Sequence, residues 1–315
     1  MSASKKVRKA VIPVAGFGTR LLPATKAIPK EMLPVAGKPL IQFAVEEAAA
    51  SGIETVIIVI RNHQSILEAH FGRNLELESF LEERQQTEAA NLVRHLAGLA
   101  EIVYVEQERP LGLAHAIFCA RPLIAEETFA VLLPDVIMLG EIPVTRQLLS
   151  AREQHGGSVV AIRQVEPRDV ERYGIVYADR GTADSSSRSV RVTSLVEKPS
   201  PAQASSRLGI FGRYLLDPLI WDHFAQTSPD PRGEIQLTDA LHLHCSERPV
   251  FGHFFEGRHY DAGDPLGYLQ ANLELALQDL RLRQPLLQYL SHLDVRTGDF
   301  SACVPSNLGR SQARR

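Results

Sequence analysis

The chain has 315 residues, 44% of them hydrophobic, and a formal net charge of −3. That length can bury one large α/β core or two modest ones, and the charge balance gives no reason to expect nucleic acid or an anionic membrane as partner. No apolar run approaches the roughly 20 residues that a membrane-spanning helix needs. Three cysteines, Cys119, Cys245 and Cys303, lie far apart and form neither a zinc pattern nor a disulfide framework. Met1–Lys9 is polar and basic, with no apolar stretch and cleavage site behind it, so the expected location is the cytoplasm. His242 and His244, two apart on a predicted helix, point to different faces and do not share an ion easily.

In chain order, Ala10–Val14, Thr55–Ile60, Ile102–Val105 and Phe129–Leu133 read as buried strands. Helical patterns fall near Pro39–Ser51, Gln64–Phe71, Leu75–His95 and Leu113–Ala120. This alternation predicts right-handed crossovers and a mainly parallel sheet covered on both faces. From about Ser158 the pattern changes: Val159–Ile162, Gly174–Ala178, Val190–Val196 and Gly209–Leu215 are strand-like with little helix between, which predicts antiparallel additions over the site. Asp179–Ser189 reads as a surface loop. Helices are expected at Gln236–His244, Pro265–Leu282 and Gln284–His292, and Ser306–Arg315 is expected to fray. The predicted organisation is one continuous domain over residues 1–283, followed by a C-terminal helical segment and tail over 284–315.

The densest chemistry lies at the first strand. Val11–Ala15 runs into Gly16 and Gly18, where a missing Cβ lets backbone N–H groups approach an anion. Arg20, Lys26 and Lys30 follow, with Pro23, Pro29 and Pro34 stiffening the loop. Fixed donors beside several cations suit a triphosphate. A dinucleotide-binding turn is the competing reading. It expects a glycine three residues after Gly18, where Leu21 stands, and an acid ending the second strand, which instead runs into Arg61–Asn62–His63. The stretch Ala24–Pro34, ATKAIPKEMLP, resembles the first motif of the sugar-nucleotide pyrophosphorylases, most closely the bacterial UTP–glucose-1-phosphate uridylyltransferases.

Further elements fit that resemblance. Asp135 follows the fourth strand, on the edge that carries the glycine loop; it is either a hard ligand suited to Mg²⁺ or a turn cap. Asp261 and Asp264 both precede a helix and compete; Asp264 ahead of Pro265 is well placed as its N-cap, and the resemblance, which has an aspartate followed by x-Gly here, implies Asp261 as the metal ligand. Val196-Glu197-Lys198-Pro199 offers a rigidly held cation and a hydroxyl acceptor, although such a triplet is common in solvated turns. Gln107 presents a donor and an acceptor matching the O4/N3 edge of uracil or thymine, and Gly112 opens the next helix; a strand-end polar residue and a helix-start glycine are the plainer readings. Gly233–Asp239 matches the family's wording, and its Thr238 and Asp239 are equally ordinary helix-start residues.

The resemblance covers roughly Val7 to Leu280 and implies a Rossmann-like nucleotidyltransferase fold with a mixed sheet and C-terminal helices. It implies UTP + α-D-glucose 1-phosphate giving UDP-glucose + pyrophosphate, with Mg²⁺ on Asp135 and Asp261. Ala15, Gly16, Gly18, Gln107 and Gly112 would hold the nucleotide. Gly174, Glu197, Lys198, Ile210 and Gly212 would hold the sugar phosphate. Arg20 and Lys30 would take the β- and γ-phosphates while Lys198 aligns the attacking phosphate. The alternatives are dTTP or another hexose 1-phosphate as substrate, or a non-catalytic regulatory paralogue; the intact Gly18-Thr19-Arg20 and Tyr173-Gly174 speak against the last. Leu266, Leu269, Leu273, Leu277 and Leu280, with Leu286, Leu287 and Leu290, exceed what one amphipathic face needs, so a homo-oligomer, dimer or tetramer, is expected.

Overall fold

The computed structural model describes residues 6–61, 64–179 and 188–293. Residues 180–187 of the polar tract, Cys303 and the tail 306–315 lie outside the described residues. The chain divides into two compact units, one through Ala271 and one from Asn272.

In the first unit the strands are β1 (Lys9–Val14), β2 (Pro34–Val35), β3 (Lys38–Pro39), β4 (Thr55–Ile60), β5 (Glu101–Glu106), β6 (Phe129–Leu132) and β7 (Val136–Leu139). They continue as β8 (Ser158–Gln164), β9 (Gly174–Asp179), β10 (Ser189–Glu197), β11 (Leu208–Leu216), β12 (Val250–Phe254) and β13 (Arg258–Asp261). Nine of them form one sheet in the order β5-β4-β1-β6-β11-β8-β12-β10-β9, with β11 also bonded to β9. The first four in that order are parallel, as the alternating first half predicts. Beyond β6 the pairings are antiparallel except for β8 with β12, so the sheet is mixed and its parallel character is largely confined to that half.

Strand β1 shows why this is a central strand. Ala10, Ile12 and Val14 enter one apolar cluster and Val11 enters the other, so both faces are covered. The first face is packed by helices Leu40–Ala50 and Val144–His155, the second by Leu113–Cys119, Ile220–Gln226 and Leu237–Glu247. Because Ala10 pairs with Ala130 and Val11 with Val131 in parallel register, the loop after β1 and Asp135 after β6 leave the sheet at one edge.

Several elements depart from the sequence reading, among them two helices and a ribbon. The helix expected over Leu75–His95 is two helices, Leu75–Glu83 and Thr87–Ala97, because Gln85 takes φ +58° between them. The helix expected over Pro265–Leu282 ends at Gln278, and a second runs Leu280–His292, capped by the Asp279 side chain accepting from Arg281 N–H at 2.8 Å. The ribbon of β7 and β13 has no counterpart in the sequence reading; it pairs Asp261 with Val136 and so brings the two aspartate-bearing turns together.

One buried contact ties these layers to the site. Between Ile210 and Tyr214, β11 bulges against β8, with Gly212 at φ +63°. The bulge turns Arg213 inward, where it is fully buried against Glu47 of helix Leu40–Ala50. Its Nη1 donates to Leu133 O (2.9 Å) and its Nη2 to Val136 O (2.8 Å), on either side of Asp135.

Candidate active site

The glycine loop opens a cavity of about 390 Å³ whose wall includes Ala15, Gly16, Lys30, Gln107, Gly112 and Asp135. A Cβ on Gly16 would meet nothing within 4 Å, so here the backbone is open to the cavity. Gly18 is not in that wall. It sits behind it at φ +64°, where a Cβ would press on Thr25 and Lys30 at 3.1–3.2 Å, and its carbonyl accepts from Thr25 Oγ1 at 2.8 Å. Its role is to let the loop fold over Lys30.

At the opposite wall Gln107 is buried. Its amide nitrogen donates to Gly112 O (3.2 Å) and to His115 Nδ1 (2.9 Å). Burial holds His115 below its ordinary pKa, and because an amide nitrogen can only donate, Nδ1 is the acceptor in this contact. With both amide protons engaged, the carbonyl oxygen is the group Gln107 has for a ligand, suited to an N–H donor such as N3 of uracil or thymine. Gly112 has φ +94°, and a Cβ there would lie 2.7 Å from the Ile235 backbone. Its smallness thus serves the docking of the Gly233–Gln236 segment, in addition to its place in the wall.

A second cavity of about 330 Å³ shares Asp135 with the first and is lined by Arg20, Gly174, Glu197, Lys198, Ile210 and Gly212, among others. Glu197 accepts from Thr238 Oγ1 at 2.6 Å and pairs with Lys198 Nζ at 2.8 Å. Thr238, indistinguishable in the sequence from a helix-start residue, is therefore part of this wall. A Cβ on Gly174 would lie 2.6 Å from the Thr238 hydroxyl oxygen. Lys198 itself takes φ +43°, fixed by its N–H donating to Tyr173 O at 3.1 Å.

Asp135 and Asp261 converge beside Gly263. A Cβ there would meet Asp261 Oδ1 at 3.1 Å and Asp135 Oδ2 at 3.3 Å, so the glycine keeps that corner clear. Asp264 caps the following helix by accepting from Gly267 N–H at 2.9 Å. Among the described residues no group of three or more His, Cys, Asp or Glu side chains is placed to hold a metal. Two converging carboxylates on a cavity wall nevertheless fit Mg²⁺, which takes one or two protein carboxylates and fills its shell with phosphate oxygens and water.

The charges are interlocked. Lys30 Nζ lies 2.7 Å from Asp135 Oδ2 and 3.8 Å from Glu31 Oε1. Burial opposes the lysine's charge, but Asp135 and Glu31 outweigh it and raise its pKa. Burial also opposes the charge on Asp135; there Lys30 wins and the pKa is lowered. Asp261 goes the other way, raised by burial and by Asp135 against the Gly263 N–H that stabilises its anion. Glu31, almost fully buried with no partner for Oε2 among the described residues, is pushed up to about 7 by burial, with Lys30 opposing.

Glu31 supplies a pH test of this electrostatic arrangement. The folded protein retains its proton from the ordinary 4.5 up to about 7, while the unfolded chain releases it. Its stabilising contribution is therefore full below pH 4.5 and is lost as pH rises through about 7. Glu31→Gln cannot lose that proton, so its stability relative to wild type should rise by about 2–3 kcal/mol between about pH 5 and about pH 8. Urea unfolding of ligand-free protein measures this; a difference that does not change with pH contradicts the assignment.

Comparison with known proteins agrees with this geometry. The model of the family described as nucleotidyl transferase matches residues 9–278. The chain is 46% identical over 286 residues to UTP–glucose-1-phosphate uridylyltransferase YngB of Bacillus subtilis (strain 168), covering 91% of this chain and 95% of that protein. It is 44% identical over 289 residues to a UTP–glucose-1-phosphate uridylyltransferase of the same organism, covering 92% and 98%. A solved structure of UTP-bound UGPase from Acinetobacter baumannii matches with a TM-score of 0.81 at 35% identity, covering 91% of this chain and 100% of that one. A match that takes in the sheet and both cavities, with relatives alike over nine-tenths of the chain, establishes that this chain belongs to the nucleotidyl transferase family.

Proposed function

We infer that the chain catalyses UTP + α-D-glucose 1-phosphate giving UDP-glucose + pyrophosphate. What carries this reading is the near-full-length likeness to proteins named for that activity. The adjoining cavities fit it: one presents the open backbone of Gly16 and the Gln107 carbonyl, the other Lys198 and Glu197, and Asp135 belongs to both. A phosphate oxygen of the sugar phosphate attacks the α-phosphorus in line and pyrophosphate leaves. That nucleophile is already anionic, so no general base is required and the protein's task is positioning and charge neutralisation. In this reading Lys198 orients the attacking phosphate, Glu197 accepts from sugar hydroxyls, and Arg20 and Lys30 meet the β- and γ-phosphates as charge builds on them. Mg²⁺ held by Asp135 and Asp261 would supply charge neutralisation on the phosphates of both substrates.

We place the protein in the cytoplasm, where UTP is available and free thiols such as Cys119 and Cys245 persist. No described helix is long and apolar enough to cross a membrane. Leu266 and Leu269 are about two-thirds exposed and Leu280 nearly four-fifths, which favours a homo-oligomer. Light scattering should then give a mass of at least twice 34.8 kDa; a monomer mass at micromolar concentration contradicts it.

The activity is checked by pyrophosphate release with glucose 1-phosphate as co-substrate. UTP should give a higher kcat/KM than dTTP, and a dTTP value equal or higher would contradict the uridylyltransferase assignment. Lys198→Ala tests the sugar-phosphate reading. A surface turn residue would lose within about 0.5 kcal/mol of stability and almost no activity. A lysine holding the attacking phosphate should lose about 30- to 1000-fold in kcat/KM for glucose 1-phosphate, equivalent to about 2–4 kcal/mol. Near-normal kinetics would remove Lys198 from the mechanism.

A further inference from the structure

Arg172 ends the 3₁₀ turn Pro167–Arg172, directly before Tyr173-Gly174, and nothing in the sequence reading gives it a role. One nitrogen of its guanidinium, Nη2, lies 2.9 Å from Asp261 Oδ2 and 2.8 Å from Asp264 Oδ2. The two aspartates divide their oxygens in the same way. Oδ1 of each accepts a backbone N–H, from Gly263 and Gly267 respectively, and Oδ2 of each faces Arg172. The side chain is 44% exposed and lines the same cavity as Arg20 and Lys198.

This placement sets Arg172 against any cation that approaches Asp261. Oδ1 accepts the Gly263 N–H on the side that faces Asp135 and keeps one lone pair, while Oδ2 is held by Arg172, so a cation that takes this carboxylate meets the guanidinium charge on its other oxygen. The neighbouring Asp135 is covered in the same manner by Lys30. With Lys30 matched to Asp135, Asp261 and Asp264 would still stand close together without a divalent cation, and a guanidinium able to serve both at once relieves that repulsion.

We propose that Arg172 is a positioning residue that occupies Asp261 until a divalent cation displaces it, leaving the guanidinium in the cavity wall that also carries Lys198. Metal entry and release of Arg172 are then one exchange of cations at the Asp261 carboxylate. The proposal rests on the reading of Asp261 as a metal ligand. It separates two duties: Asp264 keeps its cap on the helix whichever cation is present, while Asp261 changes partner.

The test is titration of nucleotide-free protein with Mn²⁺, followed by the electron paramagnetic resonance signal of the free ion, on wild type, Arg172→Ala, Arg172→Gln and Asp261→Asn. Both Arg172 variants should bind Mn²⁺ tighter than wild type, by about 2- to 5-fold for a partly exposed pair. A role confined to fold stability would leave metal affinity unmoved, and melting temperatures identify a variant that fails to fold. Asp261→Asn should bind more weakly than wild type. If Asp261→Asn binds weakly but neither Arg172 variant binds tighter, the competition is overturned and the ligand assignment stands. If Asp261→Asn binds as wild type does, or no variant binds Mn²⁺ above background, the ligand reading is overturned and the competition with it.

Discussion

The buried ion pair between Glu47 and Arg213 is the contact on which the placement of the site depends. Two guanidinium nitrogens of Arg213 reach Glu47 Oε2 at 3.0 and 2.9 Å, while Glu47 Oε1 accepts from Thr145 N–H (3.0 Å) and hydroxyl (2.7 Å). The remaining donors go to the carbonyls of Gly212, Leu133 and Val136. A buried pair is tolerated only when its other donors and acceptors are satisfied in this way. The pair joins two helices to β11 and grips the turn on both sides of Asp135, so the position of that carboxylate is set by the core.

Around this fixed turn, charge is balanced before any substrate arrives. Asp135 is matched by Lys30, Asp261 by Arg172 and Glu197 by Lys198. Each pair lies on a wall of the cavities, and each contains a cation suited to phosphate oxygens. A phosphate-transfer site needs several cations close together, and without substrate they would repel one another. Interleaving carboxylates among them removes that penalty and leaves each cation within reach of a ligand. The open Gly263 corner adds room for a divalent ion without loosening either aspartate.

Much of this was legible in the sequence because it is local. The strand before the glycine loop, the Asp135 turn and the Asp264 cap each follow from a few adjacent residues. The parallel half of the sheet followed from the alternation of β-branched runs with helical periods. What escaped was non-local or without periodicity. The β7–β13 ribbon consists of two four-residue strands that carry no alternation signal, yet it sets Asp135 beside Asp261. Helices Val144–His155 and Ile220–Gln226 also lack a clear sequence signal, the first because charged and polar residues outnumber its apolar ones, the second because seven residues are too few to establish a helical period. Thr238 acquires meaning only from its contact with Glu197, 41 positions away. Arg213 and Glu47 are separated by 166 positions, and a lone arginine in a strand pattern gives no hint of its partner. Glu31 is also illegible in the sequence, because a glutamate beside a lysine is among the residues least expected to be fully buried.

Asp135 and Asp261 would form the protein's share of the proposed divalent-metal site, beside Gly263 where their carboxylates converge. Anomalous diffraction from a crystal grown with Mn²⁺ and UDP-glucose tests it most directly. A single strong peak is expected at ordinary ligand distance, about 2.2 Å, from an oxygen of both aspartates and from phosphate oxygen. A peak bound to phosphate alone, with both carboxylates still paired to Lys30 and Arg172, would contradict it.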